Sequence, residues 1–366
     1  MQIKSISVVG LFGKPGVRSY TLNPDLNILT GRNGSGKTTA MKLAWFVMSG
    51  NILNALREIS FKSFTIATTE YTCTVIRLGD VQCKVEMEVD GDRYTIEDEN
   101  DEENPFADAA EDKANAILVT RGSSIFFPTF RRIEGGFTMS SSGPVRTRAS
   151  ARGESEIDEA LSSLSRKLSN HEHLFVSAIS TQDVITLLLK RYASFSEEVN
   201  SYQERVSRSV IEKIRQYENT QSAQQAADAL LSETRAEIEK IEEFRSKTMQ
   251  PLDAMRALVE KLFNHSGISF GKRLNFGDAA AAVNSDVLSA GEKQMLSFIC
   301  YNAFYKNAVI FIDEPELSLH VDWQRQLYQI LQSQGSGNQF IFATHSPFIY
   351  AKYPDKEVAI GWDKGE

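Results

Sequence analysis

The sequence contains few of the residues that build disulfide-linked, metal-clustered or membrane-spanning proteins. Only 3 cysteines occur in 366 residues, and Cys73, Cys83 and Cys300 form no CxxC pair. They exclude a disulfide framework and a cysteine-rich zinc site, and we interpret them as ordinary buried thiols. No apolar run approaches the length that a bilayer requires, and the first residues lack the pattern of a secretory signal. The sequence therefore predicts a cytoplasmic protein with no membrane partner.

An excess of positive charge is also missing. The chain has 40 Lys and Arg residues against 48 Asp and Glu residues, a formal net charge of −8. This balance argues against constitutive, charge-driven binding of nucleic acid, although a local basic groove stays open. Nucleic acid is therefore a possible partner, but the net charge does not indicate it. The hydrophobic content of 42% is that of a globular protein.

Short strands are predicted in the amino-terminal part of the chain. "QIKSISVVGLFG" and "SYTLNPDLNILT" read as strands, and "VQCKVEMEVDGDRYTIED" predicts a hairpin that turns at Asp90 and Gly91. An acidic loop is expected at 97–112, a further strand region at 114–137, and a loop rich in Ser, Gly and Arg at 138–156. Strand character returns at 267–276.

The composition changes between Ile157 and Phe263, where Gly and Pro are rare and apolar residues recur at helical spacing. This segment predicts a helical insert that folds as a short antiparallel hairpin, interrupted near Pro251. We therefore expect three domains. They are an amino-terminal lobe (1–150), the helical insert (151–265) and a carboxyl-terminal lobe (266–366).

A phosphate-binding loop is predicted by "GRNGSGKT", which fits GxxxxGK[ST] and directly follows the strand "LNILT". Glycines let successive backbone N–H groups converge on phosphate oxygens at the start of a helix. Lys37 is expected to neutralise the β- and γ-phosphates, and Thr38 to ligate magnesium. A glycine-rich turn that binds nothing is the alternative, which the flanking strand and helix disfavour. The expected cofactors are ATP and Mg²⁺, and the predicted nucleotide-binding residues are Asn33, Gly34, Ser35, Gly36, Lys37, Thr38 and Thr39.

Two further strand ends carry polar groups. "VIFIDEPE" delivers Asp313 as a metal ligand and Glu314 as the group that polarises the attacking water. Many apolar strands end in acids, so this pattern gains specificity only in combination with the phosphate loop. "FIFATHSPF" places His345 at the tip of another strand. A lone histidine there is often structural, but its position favours a catalytic role as a γ-phosphate sensor.

These motifs, in the order "GRNGSGKTT", "LSAGEKQ", "VIFIDEPELSLH" and "THS", resemble the Walker A, signature, Walker B with D-loop, and H-loop motifs of ABC-type ATPases. The resemblance implies an α/β fold: an ABC-ATPase head of the P-loop NTPase type, with a mixed sheet and an inserted helical or short coiled-coil subdomain. It further implies that Ser289, Gly291 and Glu292 contact ATP held by another copy of the chain, in a homodimer or higher homo-oligomer. The same residues also suit a helix N-cap, with Ser289 and Glu292 at capping-box spacing. The two interpretations are compatible.

A branch of the family is suggested by "DEPELSLH", with Glu316 and His320, and by "FFPTFRRIEGG". These segments look like those of SMC-like and lysogenization-defect-like ATPases of the AAA_15 and AAA_21 group, including Septu, PARIS and retron-associated antiphage ATPases. Because the chain ends soon after His345, the resemblance implies a separate effector, a nuclease or a toxin.

Some positions remain open at the level of sequence. The glutamine loop of the family is not located, with Gln82 and Gln182 as the only candidates. Arg131 and Arg132 either contact phosphate or form a surface pair with nearby carboxylates. The leading hypothesis is an ATP-hydrolysing subunit of an antiphage complex. An SMC or recombination-repair ATPase that acts directly on DNA is the alternative, and a transporter subunit fits "DEPELSLH" poorly.

Overall fold

A computed structural model of the chain describes most of the sequence. The described residues are 1–98, 109–129, 132–133, 160–179, 181–219, 224–263 and 289–361. The loop predicted at 138–156 and the strand predicted at 267–276 lie outside them, as does most of the predicted acidic loop.

One sheet is antiparallel and is built from amino-terminal strands. In spatial order it comprises β2 (Val17–Thr21), β1 (Ile3–Val9), β4 (Ser63–Thr68), β5 (Tyr71–Arg77), β6 (Cys83–Val89) and β7 (Asp92–Glu97). Every second residue of β4 and β6 is buried, which is the pattern of a sheet with one face on a core. The hairpin predicted between β6 and β7 is confirmed, since Asp90 and Gly91 have the positive φ angles of 55° and 90° that its tight turn requires.

The other large sheet is parallel throughout. In spatial order it comprises β10 (His173–Phe175), β8 (Ser124–Phe127), β12 (Val309–Asp313), β13 (Gln339–Ala343), β3 (Leu26–Thr30) and β14 (Glu357–Ala359). Strands β3, β8, β12 and β13 consist entirely of buried residues, as expected for a parallel sheet covered on both faces. Their carboxyl ends meet at one edge, where α/β proteins bind ligands.

The helices complete an α/β fold, as predicted. They are α1 (Lys37–Met48), α2 (Ile52–Glu58), α3 (Ala110–Leu118), α4 (160–168), α5 (Thr181–Asn219), α6 (Gln224–Phe263), α7 (Ala290–Phe304), α8 (Val321–Gln332) and α9 (Pro347–Tyr350). The two-stranded pair of β9 (Arg132–Ile133) and β11 (Ala178–Ile179) is also parallel.

Helix α1 lies at the centre of the hydrophobic core. It contacts β4 of the antiparallel sheet and β8, β12 and β13 of the parallel sheet. The Trp45 side chain is buried, and its ring centroid lies 5.7 Å from that of Phe126 and 5.3 Å from that of Phe175. Because the helix is packed on several sides, the loop that precedes it is held firmly at the sheet edge.

One predicted strand region is wrong in its first part. Residues 110–118, which span the end of the predicted acidic loop and the start of the predicted strand, form α3. Ala114 and Leu118 are fully buried and lie one helical turn apart, so the helix packs one face on the core. Glu111 and Asp112 in its first turn suit the helix dipole.

The helices α5 and α6 form an antiparallel pair, as predicted. Lys213 of α5 forms ion pairs with Glu233 and Glu237 of α6, whereas the earlier Tyr202 stacks on the later Phe244 with ring centroids 4.1 Å apart. The predicted interruption near Pro251 is wrong, because α6 continues through this residue. A proline removes a single backbone hydrogen bond, so it can kink a helix of 40 residues without ending it.

The chain divides into two compact units. The first comprises Met1–Ser180, Ser289–Phe298 and Tyr305–Glu366, and the second Thr181–Leu288 and Ile299–Phe304. The boundary at Thr181 differs from the predicted start of the insert at 151, because β10 pairs with β8 and belongs to the parallel sheet. The boundary at 265 stays a prediction.

Candidate functional site

The glycine-rich loop joins β3 to α1 at the carboxyl edge of the parallel sheet. Gly36 has a φ of 98°, a conformation that other residues rarely adopt, and it leads directly into the helix. The first turn of α1, including Thr39, offers backbone N–H groups and the positive end of the helix dipole to an anion. Asn33 and Gly34 are exposed in the loop. The Ser35 hydroxyl is buried without a partner among the described residues, so it could donate a hydrogen bond to a phosphate oxygen.

The amine of Lys37 is buried beside the loop. Its Nζ donates to the carbonyl oxygens of Gly31 and Arg32, at 3.1 and 3.4 Å, and lies 2.7 Å from Nε2 of His345. Burial lowers the pKa of Lys37, and nearby carboxylates, with Glu314 first, oppose this shift. The lysine therefore lies where a bound triphosphate would place its negative charge.

Asp313 ends β12 and is fully buried. Its Oδ1 accepts a hydrogen bond from the Thr38 hydroxyl at 3.0 Å, and its Oδ2 accepts one from the Thr129 hydroxyl. Hydroxyl and carboxylate oxygens are the ligands that Mg²⁺ prefers, together with waters and phosphate oxygens. The residues present therefore fit a magnesium ion beside the phosphate loop.

Glu314 follows with a left-handed backbone, at φ 49°. Burial, with the hydrogen bond and charge of Glu316 and the charge of Asp313, raises the pKa of Glu314 to about 8, against the opposing charge of Lys37. Its Oε1 lies 3.6 Å from Nε2 of His345. A carboxylate with a pKa near neutrality is suited to accept a proton from water.

The amino terminus of α7 carries the predicted signature residues. The backbone N–H of Ser289 donates to Oε2 of Glu292 at 2.8 Å, and the N–H of Glu292 donates to Oγ of Ser289 at 3.3 Å. The capping box considered from the sequence is therefore present. Ser289 is exposed, so its contact with a nucleotide of another copy stays a prediction.

Gly291 has a packing role within its own chain. A Cβ atom at this position would overlap the carbonyl oxygen of Ser318. The buried side chain of Gln294 donates to the carbonyl oxygen of Pro315 at 3.0 Å. Helix α7 is therefore packed directly on the segment that follows β12.

Four predicted positions are not among the contacts described above. For two of them, Arg131 and Arg132, the structure does not describe the side chain. Arg131 lies outside the described residues, and Arg132 begins β9 with a side chain that is likewise not described. Gln82 lies in the turn between β5 and β6 of the antiparallel sheet. Gln182 lies in the first turn of α5. Their predicted roles stay predictions.

Two residues of the site were missed by the sequence argument. Thr129 lies just beyond the buried strand β8 and contacts Asp313, and Glu316 contacts the His345 segment. A polar residue at the end of an apolar strand, or within two residues of it, was the signal that identified Asp313 and His345. The same signal, in "SIFFPT", could have identified Thr129.

A parallel sheet with a glycine-rich loop after one strand and a carboxylate at the end of a second strand, one strand away at the same edge, defines a P-loop nucleotide-binding protein. The chain belongs to the AAA_21 family, described as "AAA domain, putative AbiEii toxin, Type IV TA system", whose model matches residues 26–351. The predicted AAA_21-type, ABC-like ATPase class is thereby confirmed. Among the described residues, every helix is too short or too polar to span a membrane.

Comparisons with solved structures return head domains of SMC proteins. One is an SMC head bound to the C-winged helix domain of ScpA, at 12% identity and a TM-score of 0.46, covering 100% of this chain and 95% of that one. A second, with an extended coiled coil and bound to the C-terminal domain of ScpA, derives from Pyrococcus furiosus, at 13% identity, a TM-score of 0.39 and coverage of 100% and 94%. A third, from Pyrococcus yayanosii, has 12% identity, a TM-score of 0.40 and coverage of 100% and 96%. No functional conclusion follows from likeness at this level. No curated protein matches the chain.

Proposed function

We propose that this protein is the ATP-binding and ATP-hydrolysing subunit of a prokaryotic antiphage defence complex. The observation that supports hydrolysis is the meeting of Lys37, Glu314 and His345 at one sheet edge. Nε2 of His345 lies 2.7 Å from the lysine amine and 3.6 Å from the glutamate carboxylate. A cation, a carboxylate and an imidazole around one point are suited to the cleavage of a γ-phosphate.

Each group has a defined task in this proposal. Lys37 and the N–H groups of the loop bind the β- and γ-phosphates. Thr38 and Asp313 would hold a magnesium ion, which when bound neutralises charge on the phosphate oxygens. Glu314 accepts a proton from the attacking water, and His345 donates a hydrogen bond to the γ-phosphate.

The ATP site is composite in this proposal. Ser289, Gly291 and Glu292 close over a triphosphate held by the phosphate loop of another copy, in a homodimer or higher homo-oligomer. The exposure of Ser289 at the amino-terminal end of α7, where the helix dipole favours an anion, supports this arrangement.

A role in defence is supported by two sequence segments and by the family. "DEPELSLH" and "FFPTFRRIEGG" resemble antiphage ATPases, and the family description names a toxin of a toxin–antitoxin system. ATP binding and turnover then control an effector encoded separately, a nuclease or a toxin.

The alternative is an SMC or recombination-repair ATPase that acts directly on DNA. It is favoured by the antiparallel pair of α5 and α6, inserted in sequence between the phosphate loop and the signature residues. Gel shifts at several salt concentrations separate the two functions. Tight binding that weakens steeply with salt would support the alternative, because it reports contacts with many DNA phosphates.

Substitution of the two central side chains tests the ATPase. Glu314→Gln should lower kcat by about a hundredfold and leave the Kd for ATP within about twofold, because the base acts only in the chemical step. Lys37→Ala should weaken ATP binding by about tenfold or more, because it removes the cation that binds the triphosphate. Turnover is measured as phosphate release, and binding with a fluorescent ATP analogue.

The exposed Glu58, which pairs with Lys42 at 3.5 Å, offers a matched control as Glu58→Gln. It should behave like the wild type. Hydrolysis by Glu314→Gln at the wild-type rate would show that the base is misassigned.

A further inference from the structure

Glu316 binds the segment that carries His345 through three hydrogen bonds. Its Oε1 accepts from the backbone N–H groups of His345 and Ser346, at 2.8 and 3.0 Å. Its Oε2 accepts from the Thr344 hydroxyl at 2.7 Å. Because the donors belong to consecutive residues, one carboxylate fixes the direction of the backbone there. It thereby also fixes the position from which the His345 side chain extends.

The same bonds connect two neighbouring strand ends. Glu316 follows β12, which delivers Asp313 and Glu314, and Thr344 follows β13 directly. Gln324 of α8 reinforces the connection. Its Nε2 donates to the carbonyl oxygen of Leu319 at 2.8 Å, and its Oε1 accepts from the Ser346 hydroxyl at 2.6 Å.

We propose that Glu316 is a positioning residue, which holds His345 where its imidazole meets the γ-phosphate of bound ATP. The inference rests on the proposed ATPase function and deepens it. The proposed effect of Glu316 on the nucleotide runs through His345, and its hydrogen bond and charge act separately on Glu314. A small displacement of the imidazole would therefore slow hydrolysis, while the phosphate loop would retain the nucleotide.

Kinetics distinguish this role from a purely structural one. Glu316→Ala should lower kcat by roughly tenfold to a hundredfold and leave the Kd for ATP within about twofold. Glu316→Gln, which keeps one oxygen to accept the two backbone bonds, should lose less. In a His345→Gln background, Glu316→Ala should cause no further loss, because it acts through the missing imidazole.

Glu58→Ala, which removes an exposed carboxylate that pairs with Lys42, is the control and should leave kcat within about twofold. Gln324→Ala loosens the same network from α8, so it should lower the thermal midpoint and lower kcat less than Glu316→Ala does. The proposal is overturned if Glu316→Ala keeps the wild-type kcat. It is equally overturned if the loss persists in the His345→Gln background, which would indicate an effect through Glu314 instead.

A second measurement does not depend on hydrolysis. The sequence has 5 histidines, so ¹⁵N-histidine labelling gives a small set of amide signals, and His345→Gln identifies that of His345. In Glu316→Ala this amide proton should move upfield and exchange with solvent roughly tenfold faster, because its hydrogen bond to a carboxylate is lost. An unchanged signal would contradict the positioning role.

The two failures can be told apart. Absence of ATP hydrolysis in the wild-type protein would disprove the proposed function and leave the amide measurement to decide the Glu316 contact. Wild-type hydrolysis with an unchanged His345 amide in Glu316→Ala would disprove the positioning alone.

Discussion

Asp313 shows at the scale of single residues how distant segments create one site. Thr38 of α1 donates to one carboxylate oxygen, and Thr129 beyond β8 donates to the other. Such partners fix the orientation of a metal ligand before the metal binds. Thr129 therefore belongs to the site although it is not itself a predicted ligand.

Replacement of Thr129 by valine should weaken magnesium binding. Thr129→Val removes the donor to Asp313, so the carboxylate loses its fixed orientation, and the Mg²⁺ concentration for half-maximal ATP hydrolysis should rise about tenfold. A magnesium titration at fixed ATP measures this. Thr129→Ser keeps the hydroxyl and should stay near the wild type. Equal titrations for valine and threonine would show that the contact does not orient the ligand.

His173 makes stability depend on pH. It is fully buried, and its Nδ1 lies 2.7 Å from the Ser124 hydroxyl. Burial lowers the pKa of His173 from 6.5 to about 4. Between these values the unfolded chain binds more protons than the folded one. The free energy of unfolding is therefore highest above about pH 6.5, and it decreases as the pH falls from there toward 4.

Urea denaturation measures this effect. His173 should account for a decrease of about 2 kcal/mol between about pH 7 and pH 5, a decrease that His173→Gln should lack. His320→Gln is the control, because the His320 side chain is 78% exposed, and it should retain the pH dependence of the wild type. Identical slopes for all three proteins would mean that His173 is not buried in its neutral form.

At the scale of elements, Gln339 joins the two large sheets. This residue begins β13 and is fully buried. Its Oε1 accepts from the backbone N–H of Ile3 at 2.7 Å, and its Nε2 donates to the carbonyl oxygens of Ile3 and Asn23 at 2.8 and 2.7 Å. The amide therefore connects β1 of the antiparallel sheet to a strand of the parallel sheet.

Gln339→Leu should destabilise the fold by about 2–4 kcal/mol, because it leaves buried backbone groups unpaired. The urea midpoint should fall while the slope of the transition stays constant. Gln329→Leu, at an exposed position on α8, should change stability little. A loss below about 0.5 kcal/mol in Gln339→Leu would show that other groups satisfy these backbone atoms.

At the scale of the whole molecule, the proposed composite ATP site requires that two copies of the chain meet. Gly291 is an ambiguous probe of that contact, because any side chain there would also disturb Ser318 of its own chain. Ser289 is a better probe. Its side chain is exposed, and among the described residues it takes part in the capping box with Glu292.

Ser289→Arg should block ATP-dependent association through bulk and charge. The measurement is light scattering with and without ATP and magnesium, in the Glu314→Gln background, where slow hydrolysis should preserve the associated state. Ser333→Arg is the control, since Ser333 is another exposed serine at a helix end, and it should associate normally. Unchanged association of the Ser289→Arg variant would count against a composite ATP site.

The sequence alone determined those parts of the protein that local chemistry specifies. The spacing of glycines before Lys37, the apolar strand before Asp313 and the turn at Asp90 and Gly91 each identify a structure within a few residues. The helices α5 and α6 could also be predicted, because apolar residues recur at helical spacing, and two such helices in succession favour a hairpin.

Only the tertiary structure decided which distant groups meet. Thr38 and Asp313 are 275 positions apart, and Lys37 and His345 are 308 apart. The partners of Glu316, the contact of Thr129 and the packing of Gly291 likewise depend on strand order. The burial of Ala114 and Leu118 on one face of α3 also depends on the tertiary fold. The residue types are local properties of the sequence, whereas their distances arise only when the parallel strands assemble into one sheet.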